Sequence, residues 1–159
     1  PDVIVKDEGS YPLAASILRS RGYFKFVQEN NNQYSSIDEV LADEELMVKF
    51  KTFIEKNDIS GYVDGQEDLK LAKEKLSKKE EKNLFINNAF SVIEKQIEKT
   101  QSTMFEDEKE IIQRMVHGEF AFYYNGYEGR YNIYLKDDTV VQKAIEIFAD
   151  ESQLSLIHI

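Results

Sequence analysis

Residues 108–135 read EKEIIQRMVHGEFAFYYNGYEGRYNIYL, and whether they coil or pair as strands decides between an all-helical domain and a mixed one. Ile111, Ile112, Met115 and Val116 recur at the helical period, which places them on one face of a helix. Beyond them aromatic residues crowd around Asn125-Gly126, a dipeptide that favours the tight turn of a β-hairpin. Propensity leaves two readings: a helix running to about Tyr124, or a hairpin turning at Asn125-Gly126.

The flanks are helical. In DEELMVKFKTFIEKND, residues 43–58, the apolar positions Leu46, Met47, Phe50, Phe53 and Ile54 form the stripe of a helix with one buried face. Asp43 offers an N-cap to that helix, and Ser36 with Glu39 forms an S-x-x-E capping box just before it. From Gln66 to about Gln101 helix formers dominate, with Ile86, Ala89, Phe90, Ile93 and Ile97 on one face, and a bend is expected near 77–83. On the other side, DDTVVQKAIEIFAD predicts a last amphipathic helix to about Ala149, capped by Asp138.

Nearer the N-terminus, Pro12 suits a first helical turn, and Leu13, Ile17 and Leu18 follow at helical spacing up to Gly22, a natural left-handed stop. Tyr23, Phe24, Phe26 and Val27 then read as core anchors ahead of an Asn-rich turn. The opening Pro1-Asp2-Val3-Ile4-Val5 is a β-branched run with no partner nearby in sequence, so it is expected to belong to a sheet of a longer protein. The expected organisation is a terminal strand over 1–8, a helical domain over 9–150 and a tail over 151–159. The fold class is mostly α: an irregular domain of five to seven helices with a stray N-terminal strand.

Thirty acids against twenty bases give a formal charge of −10, which repels a phosphate backbone and disfavours nucleic-acid partners. No window approaches the run of apolar residues that a membrane span needs. There is no Cys, which excludes disulfides and thiolate chemistry but leaves the compartment open.

Catalytic and metal patterns fail on spacing. The two histidines, His117 and His158, are far apart and neither sits in an H-E-x-x-H pair. In SGYVDGQEDL, residues 60–69, setting Gly65 at the sixth position of a calcium loop puts Ser60, Tyr62 and Leu71 where carboxylates are required. Acidic pairs such as Glu44-Glu45 and Asp137-Asp138 read as solvated faces or helix starts. No catalytic, cofactor or metal residues are assigned. The one surface suggested by composition is Tyr-rich: Tyr123, Tyr124, Tyr127, Arg130, Tyr131 and Tyr134, residue types that recognition surfaces favour.

Several stretches resemble the carboxyl-terminal processing (tail-specific) proteases. Pro1-Asp2 is similar to the end of a GI-x-PD sequence that leads that family's chain out of its serine-protease core. SYPLAASILRSRGYFKFVQEN (10–30), LADEELMVKFKTFIEKNDI (41–59) and DDTVVQKAIEIF (137–148), with Val141-Gln142-Lys143-Ala144, are similar to helices of the long C-terminal extension in one bacterial branch. The family's serine and lysine lie upstream of the position matching Pro1, so no catalytic residue carries over. The resemblance implies a noncatalytic C-terminal domain of a serine endopeptidase in the periplasm or cell envelope of a bacterium. Its partners would be the upstream protease domain, a protein or peptide substrate, and a second copy in a homodimer. It also favours helix to about Tyr124 with a short extended segment at 130–135. The alternative is a freestanding helical adaptor that binds protein through residues 123–134.

Overall fold

In the computed structural model of the chain, residues 9–77, 84–136 and 138–149 are described. The expected strand at 1–8, the tail at 151–159 and most of the expected bend near 77–83 fall outside them. The described residues form eight α-helices and no strand: α1 Pro12–Arg19, α2 Gly22–Asn30, α3 Ile37–Ala42, α4 Leu46–Lys56, α5 Gln66–Ser77, α6 Leu84–Asp107, α7 Lys109–Lys136 and α8 Thr139–Ala149. A 3₁₀ turn, Asn31–Gln33, follows α2. The count exceeds the expected five to seven partly because Tyr23 to Val27 sit in a helix of their own.

The described residues divide into two compact units, one of residues 11–26, 45–77 and 84–112, the other of 9–10, 27–44, 113–136 and 138–149. In the first, α4 buries Leu46, Met47, Phe50, Phe53 and Ile54, the same five positions its periodicity marks. Phe50 is the centre: Tyr23 stacks on it at 5.5 Å and Phe26 meets it edge-on at 4.9 Å. Each such ring contributes roughly 1.5–3 kcal/mol of burial, and each well-placed pair about 0.5–1.5 kcal/mol more. Tyr23 and Phe26 are anchors as expected, whereas Phe24 is exposed. Along the chain, α5 is joined to α6 by Lys73 and Glu94, 2.5 Å apart.

Two helix ends depart from the sequence reading. Pro12 does open α1, but the N-cap Tyr11 supplies no side-chain acceptor. The buried Glu108 does so from a distance, its two oxygens accepting the N–H groups of Leu13 at 3.1 Å and Ala14 at 2.8 Å. At the other end Arg21, with φ 58°, takes the left-handed position expected of Gly22. Gly22 is required for space: a Cβ there would stand 2.8 Å from the Ile17 side chain.

In the second unit the buried side chains include Val27, Val40, Val116, Phe120 and Ala121. Ser36 caps α3, accepting the Glu39 N–H at 3.4 Å as the capping box requires. The Glu39 carboxylate reaches back one residue further than that pattern implies, accepting from the N–H and hydroxyl of Ser35, both at 2.7 Å. Asp43 does not cap α4, whose N-cap is Glu45; the Tyr34 hydroxyl donates to Asp43 at 2.5 Å instead. Asp138 caps α8 as expected, accepting the N–H groups of Val140 and Val141, both at 2.9 Å.

Candidate functional site

Residues 109–136 are helical on both sides of a turn at Gly126. Gly126, at φ 64° and ψ −153°, breaks α7 into limbs 109–125 and 127–136, a conformation that only glycine adopts without strain. The turn lies where Asn125-Gly126 was read, but it joins two helices, and the extended segment expected at 130–135 is helix. The limbs fold back on each other, as their contacts show. Arg130 pairs with Glu119 at 2.6 Å, its guanidinium lies 4.1 Å from the Phe122 ring centroid, and Phe122 meets Tyr127 edge-on at 5.0 Å.

Two further glycines permit that approach. A Cβ on Gly118 would collide with the Tyr134 ring, and one on Gly129 would lie 2.6 Å from the Ala121 carbonyl oxygen and from the Asn125 Cβ. Tyr134, half-buried against the first limb, has its phenol pKa raised by burial, with Arg130 opposing, so it remains a neutral hydroxyl at physiological pH.

Tyr124 ties the preceding loop to this hairpin. Its hydroxyl proton is shared between the carbonyls of Tyr34 at 2.8 Å and Asn31 at 3.0 Å, and Tyr34 packs edge-on against Phe120 at 5.5 Å. With the loop fixed, α3 runs beside the hairpin and leaves a groove of about 390 Å³. Ile37 and Leu41 form its α3 wall; Ala121 and Asn125 come from the first limb, and Glu128, Gly129, Asn132 and Ile133 from the second.

The residues singled out by composition divide into two sets. Tyr123, Tyr127 and Tyr131 are exposed, at 53%, 66% and 55%. Tyr124, Arg130 and Tyr134 are engaged in holding loop to limb or limb to limb. The groove residues were missed, although Ile37, directly after the Ser36 cap, and Leu41 stand one turn apart, a spacing that puts both on one helix face. Among the described residues no group of three or more His, Asp or Glu could hold a metal ion, and no helix is long and apolar enough to cross a membrane.

His117, on the first limb, is part-buried, and burial lowers its pKa from the usual 6.5. The unfolded imidazole therefore takes up a proton at higher pH than the folded one. Stability is full above pH 6.5 and falls as pH drops through the window beneath it, levelling off once the folded form is also protonated. The urea midpoint is expected to decrease between about pH 7 and about pH 5, and His117→Asn should remove that part of the decrease. Glu39, whose pKa is lowered by its bonds to Ser35, contributes a separate loss below its ordinary 4.5 that the variant leaves in place. A midpoint whose pH dependence is unchanged by the substitution would contradict the assignment.

Comparison with known proteins places these elements in a larger context. A family model described as "Probable PDZ-protease, C-terminal helical domain" matches residues 13–148, from the first turn of α1 to the end of α8. No curated protein and no solved structure matches the chain. With the match covering most of its 159 residues, the chain belongs to the family of C-terminal helical domains of probable PDZ-proteases.

Proposed function

We propose that the chain is the noncatalytic C-terminal domain of a carboxyl-terminal processing serine endopeptidase of the bacterial periplasm or cell envelope, and that it packs on the protease core and frames substrate access. The family match over residues 13–148 is the observation that carries this reading, and the likeness of Pro1-Asp2 and Val141-Gln142-Lys143-Ala144 to the processing proteases supplies the finer assignment. Its acidic side chains support a structural role. Glu108 holds the start of α1, Glu119 is bound to Arg130, Asp43 accepts from Tyr34, and Glu39 from Ser35. Large apolar side chains stand exposed on α8, at Val140, Ile145 and Phe148, and at the start of α6, at Leu84 and Phe85. Such faces suit packing against other parts of a parent protein.

The test is proteolysis of an unstructured protein such as casein. The purified chain should leave it intact, the parent carrying its upstream domains should cut it, and replacing the parent's upstream serine by alanine should abolish cutting. Specific cleavage by the purified chain would overturn the noncatalytic reading, and cleavage by the serine variant would overturn the serine assignment. The exposure of Tyr123, Tyr127 and Tyr131 favours a second reading, an interaction surface for a protein partner or a second copy. A gene encoding a start codon close to Pro1, with no protease upstream, would favour that adaptor.

A further inference from the structure

We propose that the groove between α3 and the α7 hairpin is a docking site for a segment of partner polypeptide whose aliphatic side chains are flanked by lysine or arginine. The inference goes beyond the parent-protease reading and stands without it, because it rests on one unit's own geometry and charge.

The groove's walls specify the apolar part of the ligand. Ile37 and Leu41 on one side and Ile133 on the other present aliphatic surface above the buried Ala121, and Leu41 is 43% exposed. Apolar side chains seated there would leave water at roughly 25 cal/mol per Å² of surface buried. Asn125 and Asn132, one on each limb, bring amides that can both donate to and accept from a backbone. Glu128 adds a carboxylate to the lining. This combination, an apolar floor with a few polar groups at its margin, is how helical grooves receive short amphipathic segments.

Charge specifies the flanks. Among the described residues, the unit that contains the groove has nine Asp and Glu against four Lys and Arg, and two of those four, Arg130 and Lys143, are paired with Glu119 and Glu146. The other unit has thirteen acids against twelve bases, so its described residues are nearly balanced. The groove-bearing unit is thus net acidic in its described residues, with Glu128 in the groove lining and Asp38 and Glu39 on α3 itself. Such a field attracts a basic segment, speeds its encounter and repels an acidic one.

The probe is a fluorescein-labelled synthetic peptide of repeated Lys-Leu-Leu-Lys blocks, compared by anisotropy with a counterpart in which every Lys is Glu. The chain should bind the Lys peptide saturably at one site, more weakly at higher salt, and bind the Glu peptide at least about tenfold more weakly. Glu128→Lys, a change at an exposed position, and Leu41→Ser should each weaken the Lys peptide by about tenfold, whereas Phe24→Ser, at an exposed position outside the groove, should not. Unchanged far-ultraviolet circular dichroism and urea midpoint for Glu128→Lys keep the test decisive even if Leu41→Ser lowers stability. Equal affinity for both peptides, or affinity indifferent to both groove substitutions, would overturn the proposal. So would self-association of the chain that those same substitutions abolish, which would make a second copy the occupant.

Discussion

Replacing Glu108 by alanine is expected to lower the unfolding free energy by about 3 kcal/mol, as much as truncating a large core side chain. The carboxylate is 6% exposed and accepts two backbone N–H groups from the first turn of α1, across 95 and 94 residues of sequence. Those donors belong to the set that a helix start leaves without intrahelical partners, and Tyr11 offers them no side chain. A charged acceptor there gains from two charge-assisted bonds and from the positive end of the helix dipole. Against this stands the cost of burying the charge, which truncation relieves. The deficit wins, because alanine leaves both N–H groups facing a space that no acceptor fills, at about 1–3 kcal/mol each. Glu108→Gln should fall between, since its amide can offer one oxygen but turns a donor toward the second N–H. Urea unfolding of the chain gives the comparison, and an alanine variant within about 1 kcal/mol of the parent would mean that the contact contributes little.

Nothing beside Glu108 announces this role. It stands in the run Glu106-Asp107-Glu108-Lys109-Glu110, which reads as a solvated helix surface, and its partners are remote in sequence. The same contrast runs through the fold. The α4 face was legible because periodicity is a local property: five apolar residues at helical spacing need only one surface to bury against. Asp138 was legible as a cap because its partners are two and three residues away. Asp43 was not, because α4 begins two residues later than a local rule places it, with Glu45 as N-cap, while Asp43 accepts from the remote Tyr34 hydroxyl. At Asn125-Gly126 the turn was visible but its kind was not, since a residue tolerating positive φ serves a helical hairpin as well as a β-hairpin. The candidate site was least legible of all. Its walls come from residues 37–41 and 121–133, and composition pointed to tyrosines, of which Tyr124 and Tyr134 serve the packing of the unit itself.

The hairpin is also where a substitution that normally stabilises should do the opposite. At an open helical position Gly→Ala gains about 0.5–1 kcal/mol by reducing the freedom of the unfolded chain and favouring helix. Gly129→Ala is expected instead to cost about 2–3 kcal/mol net. Its Cβ would lie 2.6 Å from both the Ala121 oxygen and the Asn125 Cβ, well inside ordinary contact. Neither neighbour is a side-chain tip that can swing away; one is backbone within the first limb, so the limbs themselves must separate. Separation would stretch the Arg130–Glu119 pair and the Phe122–Tyr127 contact, and would shift Asn132 and Ile133 away from Ala121 and Asn125 across the groove. Two readouts should move together: a lower urea midpoint and weaker binding of the Lys-Leu-Leu-Lys peptide. Gly118→Ala makes a gentler comparison, because its obstacle is the Tyr134 ring, a side chain that can turn outward while the backbone stays. A Gly129→Ala chain as stable as the parent would show that the limbs do not meet this closely, and the groove would then lose the scaffold on which its docking role depends.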